Sequence, residues 1–363
     1  MTVHLKQDEP DTSNRLDGMK QGVIGQPISR VEGLAKVTGT APYAAEYPIE
    51  GCVEGVLATA TITRGEILKI DKDSVLGMPG VIAVIDDPRL TTRAAQGTAN
   101  EAPQQSPRTV CYWGQPIALV VAETFEQARD AAKHLAVEYR PDDGAPLSPD
   151  AVQPEEQEDE TVRQGDLVHA MSEAAHSVDV TFTTKGHASA AMEPHAAIAQ
   201  WDGDQLTVHA SLQMLNYNIS ELADAIDLPE EKVRLVSRFV GGGFGSKLGV
   251  SEETVAAAIA AMQLERPVRV VMSRQQVFQC IMRRSETTQR LRLAADQKGR
   301  LTGFGHEALV SNLPGETFAE PVLQSSHFLY AAQNRKLMLE VARIHRMTAG
   351  SVRAPGEAVG MPF

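Results

Sequence analysis

The sequence predicts a mixed α+β chain in two folded parts joined by an acidic, proline-rich stretch. Short apolar, β-branched runs at 81–85 and 117–122 read as buried strands. Between 124 and 136 the apolar period changes to that of a helix. Composition then shifts over 140–166, where prolines and carboxylates replace the apolar pattern. The chain has 363 residues, enough for two or three domains at about 150 residues each.

In chain order, residues 1–22 are polar and read as a tail without the apolar h-region of a secretory signal. The first folded part is expected over 23–145. Within it Thr124 and Gln127 have the spacing of a capping box, which puts Ala128, Ala131, Ala132 and Leu135 on one helical face. Residues 137–139 follow as a strand. Over 146–166, Pro146, Pro149 and Pro154 accompany Glu155, Glu156, Glu158, Asp159 and Glu160, a composition suited to a solvated linker. The second part, 167–363, opens with alternating strands at 178–184 and 205–211. Ser220 is placed to cap a helix carrying Leu222, Ala223 and Ile226. Ser251 is placed to cap another, with Glu252 and Glu253 in its first turn and Val255, Ala256, Ile259 and Met262 along it. An apolar strand is expected at 233–240 and another at 268–272.

Composition narrows the function. There are 34 basic against 47 acidic residues, a net charge of −13, which argues against binding a phosphate backbone. With 42% hydrophobic and 22% charged residues the chain can bury a core. No run approaches the roughly 20 apolar residues of a membrane span. Acidic charge suits cytoplasm or periplasm alike, and export would require travelling with a partner. Cys52, Cys111 and Cys280 are far apart and form no CxxC, so a disulfide scaffold, a zinc ribbon and a self-contained iron–sulfur cluster are disfavoured. A GxSxG elbow and a credible carboxylate pair are both missing, which removes two hydrolase classes.

The strongest local signal is GGGFGSK at 241–247, between an apolar run and a helix start. Consecutive glycines permit positive φ and bring bare N–H groups against a ligand, so the loop is either a plain turn or an anion cradle. It matches neither the P-loop nor the dinucleotide fingerprint. A second cluster, His187, Glu193 and His195, has the residue types of a metal site, or of a zinc hydrolase, but not the HExxH spacing. A third, SVRAPGEAVG at 351–360, places Arg353 in a Pro/Gly-rich turn.

Taken in order, these segments resemble the large, molybdenum-cofactor-binding subunit of the xanthine dehydrogenase and aldehyde oxidase family. GLAKVTGTAPY (33–43) resembles the opening of the family's a/b hammerhead domain, and GQPIALVVAETFEQARDAA (114–132) its closing segment. MEPH (192–195), SLQM (211–214), GGGFGSK and RAPGE (353–357) follow at family-like intervals, and the MEPH and RAPGE forms resemble those of bacterial three-subunit aldehyde oxidoreductases. The implied fold is α+β, a hammerhead domain followed by the first molybdopterin-binding domain. The implied cofactor is a molybdenum-molybdopterin cytosine dinucleotide, whose metal is held by the pterin rather than by protein side chains. Gly241, Gly242, Gly243 and Gly245 would permit its close approach. Gln213 would hydrogen-bond an oxygen ligand of molybdenum, and Phe244, Arg353 and Ala354 would line the metal centre, Arg353 as the catalytic candidate.

Two departures inform the implied substrate. Leu248 stands where purine-oxidising members carry a glutamate, and Pro355 where they carry a stacking phenylalanine, so an aldehyde oxidised to a carboxylic acid is expected. Electrons would pass to iron–sulfur and FAD partner subunits holding [2Fe–2S] and FAD. Family chains continue beyond RAPGE into a second cofactor-binding domain with a catalytic glutamate. The expectation is therefore that a companion polypeptide supplies the C-terminal half, this chain being split, cleaved or truncated. The competing reading is a non-catalytic anion-binding or assembly module that keeps the fold without turnover.

Overall fold

Strand β5 (Pro116–Ala122) is buried at every residue, as a strand covered on both faces must be. In the computed structural model, which describes residues 22, 26–90 and 108–361, it lies inside a seven-stranded sheet. The polar tail expected over 1–22 falls outside these residues, apart from Gly22. The chain divides into two units, Met1–Ala41 and Pro42–Phe363. In the first, helix α1 (Gly33–Val37) closes on Thr38, whose backbone N–H and hydroxyl donate to Leu34 O at 3.0 and 2.8 Å.

In the second unit, β5 pairs antiparallel with β1 (Val53–Thr59) and with β3 (Val81–Ile85). β1 continues the sheet in parallel with β13 (Val268–Val271), which is antiparallel to β10 (Ala196–Trp201). β11 (Leu206–Ala210) and β12 (Val233–Val236) complete it. One sheet thus spans both sequence-predicted parts, through the register Val53↔Val268. Helix α6 (Glu252–Leu264) packs on β10 and β13, with Ala256, Ala257, Ala258, Ile259, Ala260 and Ala261 all buried. A helix apolar all round is what such a position requires. Helix α3 (Phe125–His134) covers β1 and β5 and starts with the expected capping box: Thr124 Oγ1 accepts from Gln127 N–H at 3.3 Å, and Gln127 Oε1 accepts from Thr124 N–H at 3.2 Å.

A small sheet joins β4 (Thr109–Val110), β2 (Gly65–Asp71) and β6 (Ala136–Pro141), flanked by helix α2 (Asp73–Leu76). The third sheet runs β7 (Glu155–Glu156), β16 (Asn334–Arg343), β15 (Leu301–Asn312), β14 (Thr287–Ala295), β9 (His176–Thr184), and β8 (Val162–Gln164) also pairs with β16. The stretch expected as a solvated linker therefore supplies two edge strands. Two of its carboxylates are paired there: Arg163 donates to Glu156 at 2.6 Å, and Arg343 to Glu155 at 2.9 Å. Helix α4 (Leu167–Ser172) follows. In the core of this sheet His306 contacts Ser326 Oγ through Nδ1 at 2.7 Å and Gln289 Oε1 through Nε2 at 3.0 Å. Gln289 Nε2 donates in turn to Thr287 Oγ1 and to Val359 O, at 2.7 and 2.9 Å.

Three local expectations shift. The strand expected at 233–240 ends at Val236, because the Ser237 hydroxyl takes the place of the ladder, accepting from Leu212 N–H and donating to Leu212 O, both at 3.2 Å. The helix expected to start at Ser220 is α5 (Leu215–Ile226); Ser220 is inside it and bonds back to Tyr217 O at 2.9 Å. Ser251 precedes α6 but makes no side-chain cap bond.

Candidate cofactor site

Strand directions bring three motifs to one end of the seven-stranded sheet. β11 and β12 run parallel, so the segments that follow them, 211–214 and 241–247, leave at the same edge. β10 is antiparallel to β11, so MEPH, just before β10, begins there too. β13, antiparallel to β10, exits at that edge into helix α7 (Arg274–Cys280). Arg274 ties the two together, donating to Ala191 O at 2.6 Å and Met192 O at 3.1 Å. Carboxyl ends of parallel strands are where α/β sheets place ligands.

The glycine segment is a tight turn. Ser246 donates to Gly243 O from its N–H at 3.0 Å and from its hydroxyl at 2.8 Å. Gly242 and Gly245 have φ of +97°, and Phe244 between them is held at +55°, a region a side chain occupies only when its surroundings impose it. A Cβ at Gly243 would overlap the Gln213 side chain, with Cδ 2.6 Å away, and one at Gly245 would overlap Ser351 O and lie 2.9 Å from Val352 Cα. Glycine is required because two other motifs press against the loop. Among the described residues, none accepts a hydrogen bond from the backbone N–H of Gly242, Gly243 or Phe244. A row of uncommitted N–H groups in a turn of alternating handedness is an anion-binding nest.

Hydrogen bonds lock the motifs together. Gly245 N–H donates to Gln213 Oε1 at 3.2 Å, Gln213 N–H to Lys247 O at 2.8 Å, and Arg353 N–H to Phe244 O at 2.8 Å. Gln213, Phe244, Gly245, Arg353 and Ala354 consequently line one cavity of about 260 Å³, and Leu248 and Pro355 line it with them. Gly241, Gly242 and Gly243 belong to the same loop but not to that lining. Arg353 is exposed, and Ala354 is held at φ +54°.

The residues read as a possible metal cluster do something else. Glu193 Oε2 accepts from Gly241 N–H at 2.7 Å, from Ser211 Oγ at 2.5 Å and from Lys247 Nζ at 3.0 Å. Lys247 is wholly buried; it also donates to Ser211 Oγ and Glu193 O, and burial holds its pKa below the usual lysine value. This buried pair pins both ends of the glycine segment. His195 Nε2 contacts Ser246 O at 3.0 Å, whereas His187 is exposed and bridges to Arg284 through its backbone. Among the described residues no His, Cys, Asp or Glu side chains gather in threes as a metal would need.

Burial also sets a pH response. His195 and His306 are buried, which lowers each pKa from 6.5 to about 4. Above pH 6.5 both are neutral in folded and unfolded chains alike. Between about 6.5 and 4 the unfolded chain binds the additional protons, so stability declines as pH falls, by up to about 1.4 kcal/mol per pH unit for each histidine. Denaturant melts between pH 7 and pH 5 check this, with His306→Gln removing one histidine's share; a stability flat over that range contradicts it.

Sequence reasoning missed the residues behind RAPGE. Arg284 is buried and donates to the carbonyls of Val352 at 2.8 Å, Arg353, and Ala354 at 3.3 Å. It also donates to Glu320 Oε1 at 2.6 Å, and that oxygen accepts from Gly356 N–H at 2.8 Å, at the start of helix α8 (Glu357–Gly360). The only local trace of this is the dipeptide Arg283–Arg284, which resembles any surface cation pair.

The profile of the molybdopterin cofactor-binding domain matches residues 151–363, and that of the aldehyde oxidase and xanthine dehydrogenase a/b hammerhead domain matches 38–143. The chain belongs to the xanthine dehydrogenase and aldehyde oxidase family. The aldehyde oxidoreductase molybdenum-binding subunit PaoC of Escherichia coli (strain K12) is 39% identical over 364 residues, covering 98% of this chain and 49% of that protein. The 6-hydroxypseudooxynicotine dehydrogenase complex subunit gamma of Paenarthrobacter nicotinovorans is 27% identical, covering 94% and 46%. The chain thus spans about half the length of these curated relatives. The solved aldehyde oxidoreductase from Desulfovibrio gigas has the same fold, with a TM-score of 0.79 at 24% identity over 92% of this chain and 40% of that one. The architecture is the expected α+β one, a hammerhead domain followed by a molybdopterin-binding domain of the molybdenum hydroxylase fold. Among the described residues no helix is long and apolar enough to cross a membrane.

The loop's chemistry fits the molybdopterin that this family binds. The N–H groups of Gly242, Gly243 and Phe244 have no acceptor among the described residues, the two glycines present no Cβ, and Lys247 is neutralised by Glu193, so N–H dipoles supply the attraction for phosphate and pterin oxygens.

Proposed function

We propose that the chain forms the N-terminal half of a molybdenum hydroxylase catalytic subunit that oxidises aldehydes to carboxylic acids. The observation that carries this reading is the convergence of Gln213, Phe244–Gly245 and Arg353–Ala354 on one cavity. When bound, a molybdenum-molybdopterin cytosine dinucleotide accepts two electrons from the aldehyde and delivers oxygen drawn from water. The amides of Gly242 to Phe244 hold its anionic parts, with Gly241 and Gly245 leaving room for it. Gln213 Oε1 is committed to Gly245 N–H, so its amide nitrogen is the end left to donate to an oxygen near the metal. The Arg353 guanidinium stabilises negative charge developing on the substrate carbonyl oxygen. Leu248 and Pro355 give the cavity walls without groups to read a purine. The proton-accepting carboxylate lies in polypeptide outside these residues, on a companion or a continuation, and electrons leave to [2Fe–2S] and FAD partners.

The test is elemental analysis together with aldehyde-dependent dye reduction by the assembled complex. Molybdenum and turnover are expected together; a metal-free, inactive complex would leave a non-catalytic anion-binding or assembly module. In the same assay Arg353→Ala is expected to lower turnover roughly 100- to 1,000-fold, as loss of one oxyanion-stabilising donor does. Its stability should change by no more than about 0.5 kcal/mol, because the side chain is exposed. A large drop in Tm with intact specific activity would reverse that assignment.

A further inference from the structure

We infer that Arg284, fixed by Glu320, is a positioning residue that sets the conformation of the Arg353 turn. This rests on the reading of Arg353 given above. The turn cannot hold itself. Ala354 has φ +54°, a left-handed conformation that costs a residue with a Cβ of order 1 kcal/mol or more. Pro355 has no N–H to close a turn bond. The carbonyls of Val352 and Arg353 face inward, where a backbone oxygen without a partner is costly.

Arg284 answers all of this from one point. Its two terminal nitrogens reach three successive carbonyls, at 2.8 Å for Val352 and 3.3 Å for Ala354 with Arg353 between them. The same guanidinium is bonded to Glu320 at 2.6 Å, and both side chains are buried, at 5% and 0% exposed. Glu320 Oε1 extends the clamp to Gly356 N–H, so residues 352–356 are held at both ends. The Arg284 backbone is anchored as well, its N–H donating to His187 O at 2.8 Å. A planar fork of donors is needed here. A lysine at the same place offers a single tetrahedral ammonium, which retains the charge but cannot span three carbonyls and a carboxylate.

The experiment uses the complete enzyme with Arg284→Lys, Glu320→Gln and each of these combined with Arg353→Ala. Amide hydrogen exchange over 351–356 is expected to speed up about tenfold in Arg284→Lys, with exchange over 287–295 unchanged. Turnover should fall roughly 10- to 100-fold, as displacement of a reacting group by about 1 Å does, with molybdenum content and KM little altered. In the Arg353→Ala background, Arg284→Lys should cost no further turnover. Glu320→Gln, which keeps the acceptor for Gly356 N–H but loses the charge, should show the same pattern more weakly, and it carries the test if Arg284→Lys does not fold. Unchanged exchange over 351–356, or an equal loss of turnover with and without Arg353, would overturn the inference. Normal turnover in Arg353→Ala alone would instead count against the role given to Arg353, while the exchange measurement still decides the clamp.

Discussion

Gly243→Val is expected to yield a folded chain that retains little molybdenum. Gly243 is buried, and a Cβ there would overlap the end of the Gln213 side chain. Gln213 can swing aside, but only by giving up its bond to Gly245 N–H and leaving the cavity it lines. The valine methyls would also stand among the free amides of 242–244. Gly243 does not have a positive φ, so the backbone tolerates the change and the damage is done through space. Overpacking of this kind costs about 1–3 kcal/mol, which a chain of this size survives. Each 1.4 kcal/mol lost from cofactor binding is about tenfold in retention, and loss of the nest removes several contacts at once. Elemental analysis beside a thermal melt checks this, and a normal molybdenum content in a folded variant would refute the cradle. Gly245→Ala is a different experiment, because φ is +97° and the clash is with the Ser351 backbone.

The largest loss of stability is expected from Lys247→Met. Lys247 is fully buried and Glu193 is 11% exposed, so removing the ammonium leaves a nearly buried carboxylate held only by Ser211 Oγ and Gly241 N–H. Breaking one side of a buried pair costs about 3–5 kcal/mol, chiefly through the charge left behind. Glu193→Gln added to Lys247→Met should restore part of that, because an amide needs no counter-charge. Denaturant midpoints of the single and double variants give the answer; equal midpoints would mean that the Glu193 charge is not what destabilises the single variant.

Much of the local structure could be read from the residues alone. The Thr124–Gln127 box, the strand at 81–85 and the alanine-rich helix after 251 each announce themselves through contacts a few positions apart. The glycine segment was also visible, since no other residue type accepts the φ of Gly242 and Gly245. What the local pattern did not carry depends on distant partners. The strand expected through Val240 stops early because Ser237 meets Leu212, 25 residues away. Arg284 and Glu320 are 36 residues apart, and Arg284 lies 68 from Val352. The cavity itself follows from strand direction, which hydrophobic periodicity leaves open.

The pairing of Val53 with Val268 makes one continuous β-structure out of stretches that the two family profiles divide between them. Cutting at that division would bare the flank of β13, an apolar edge ready to recruit other chains. Neither piece is a self-sufficient building block: the hammerhead is a wall of the same house, and grafting, truncation or domain exchange must carry β1 with whatever is kept.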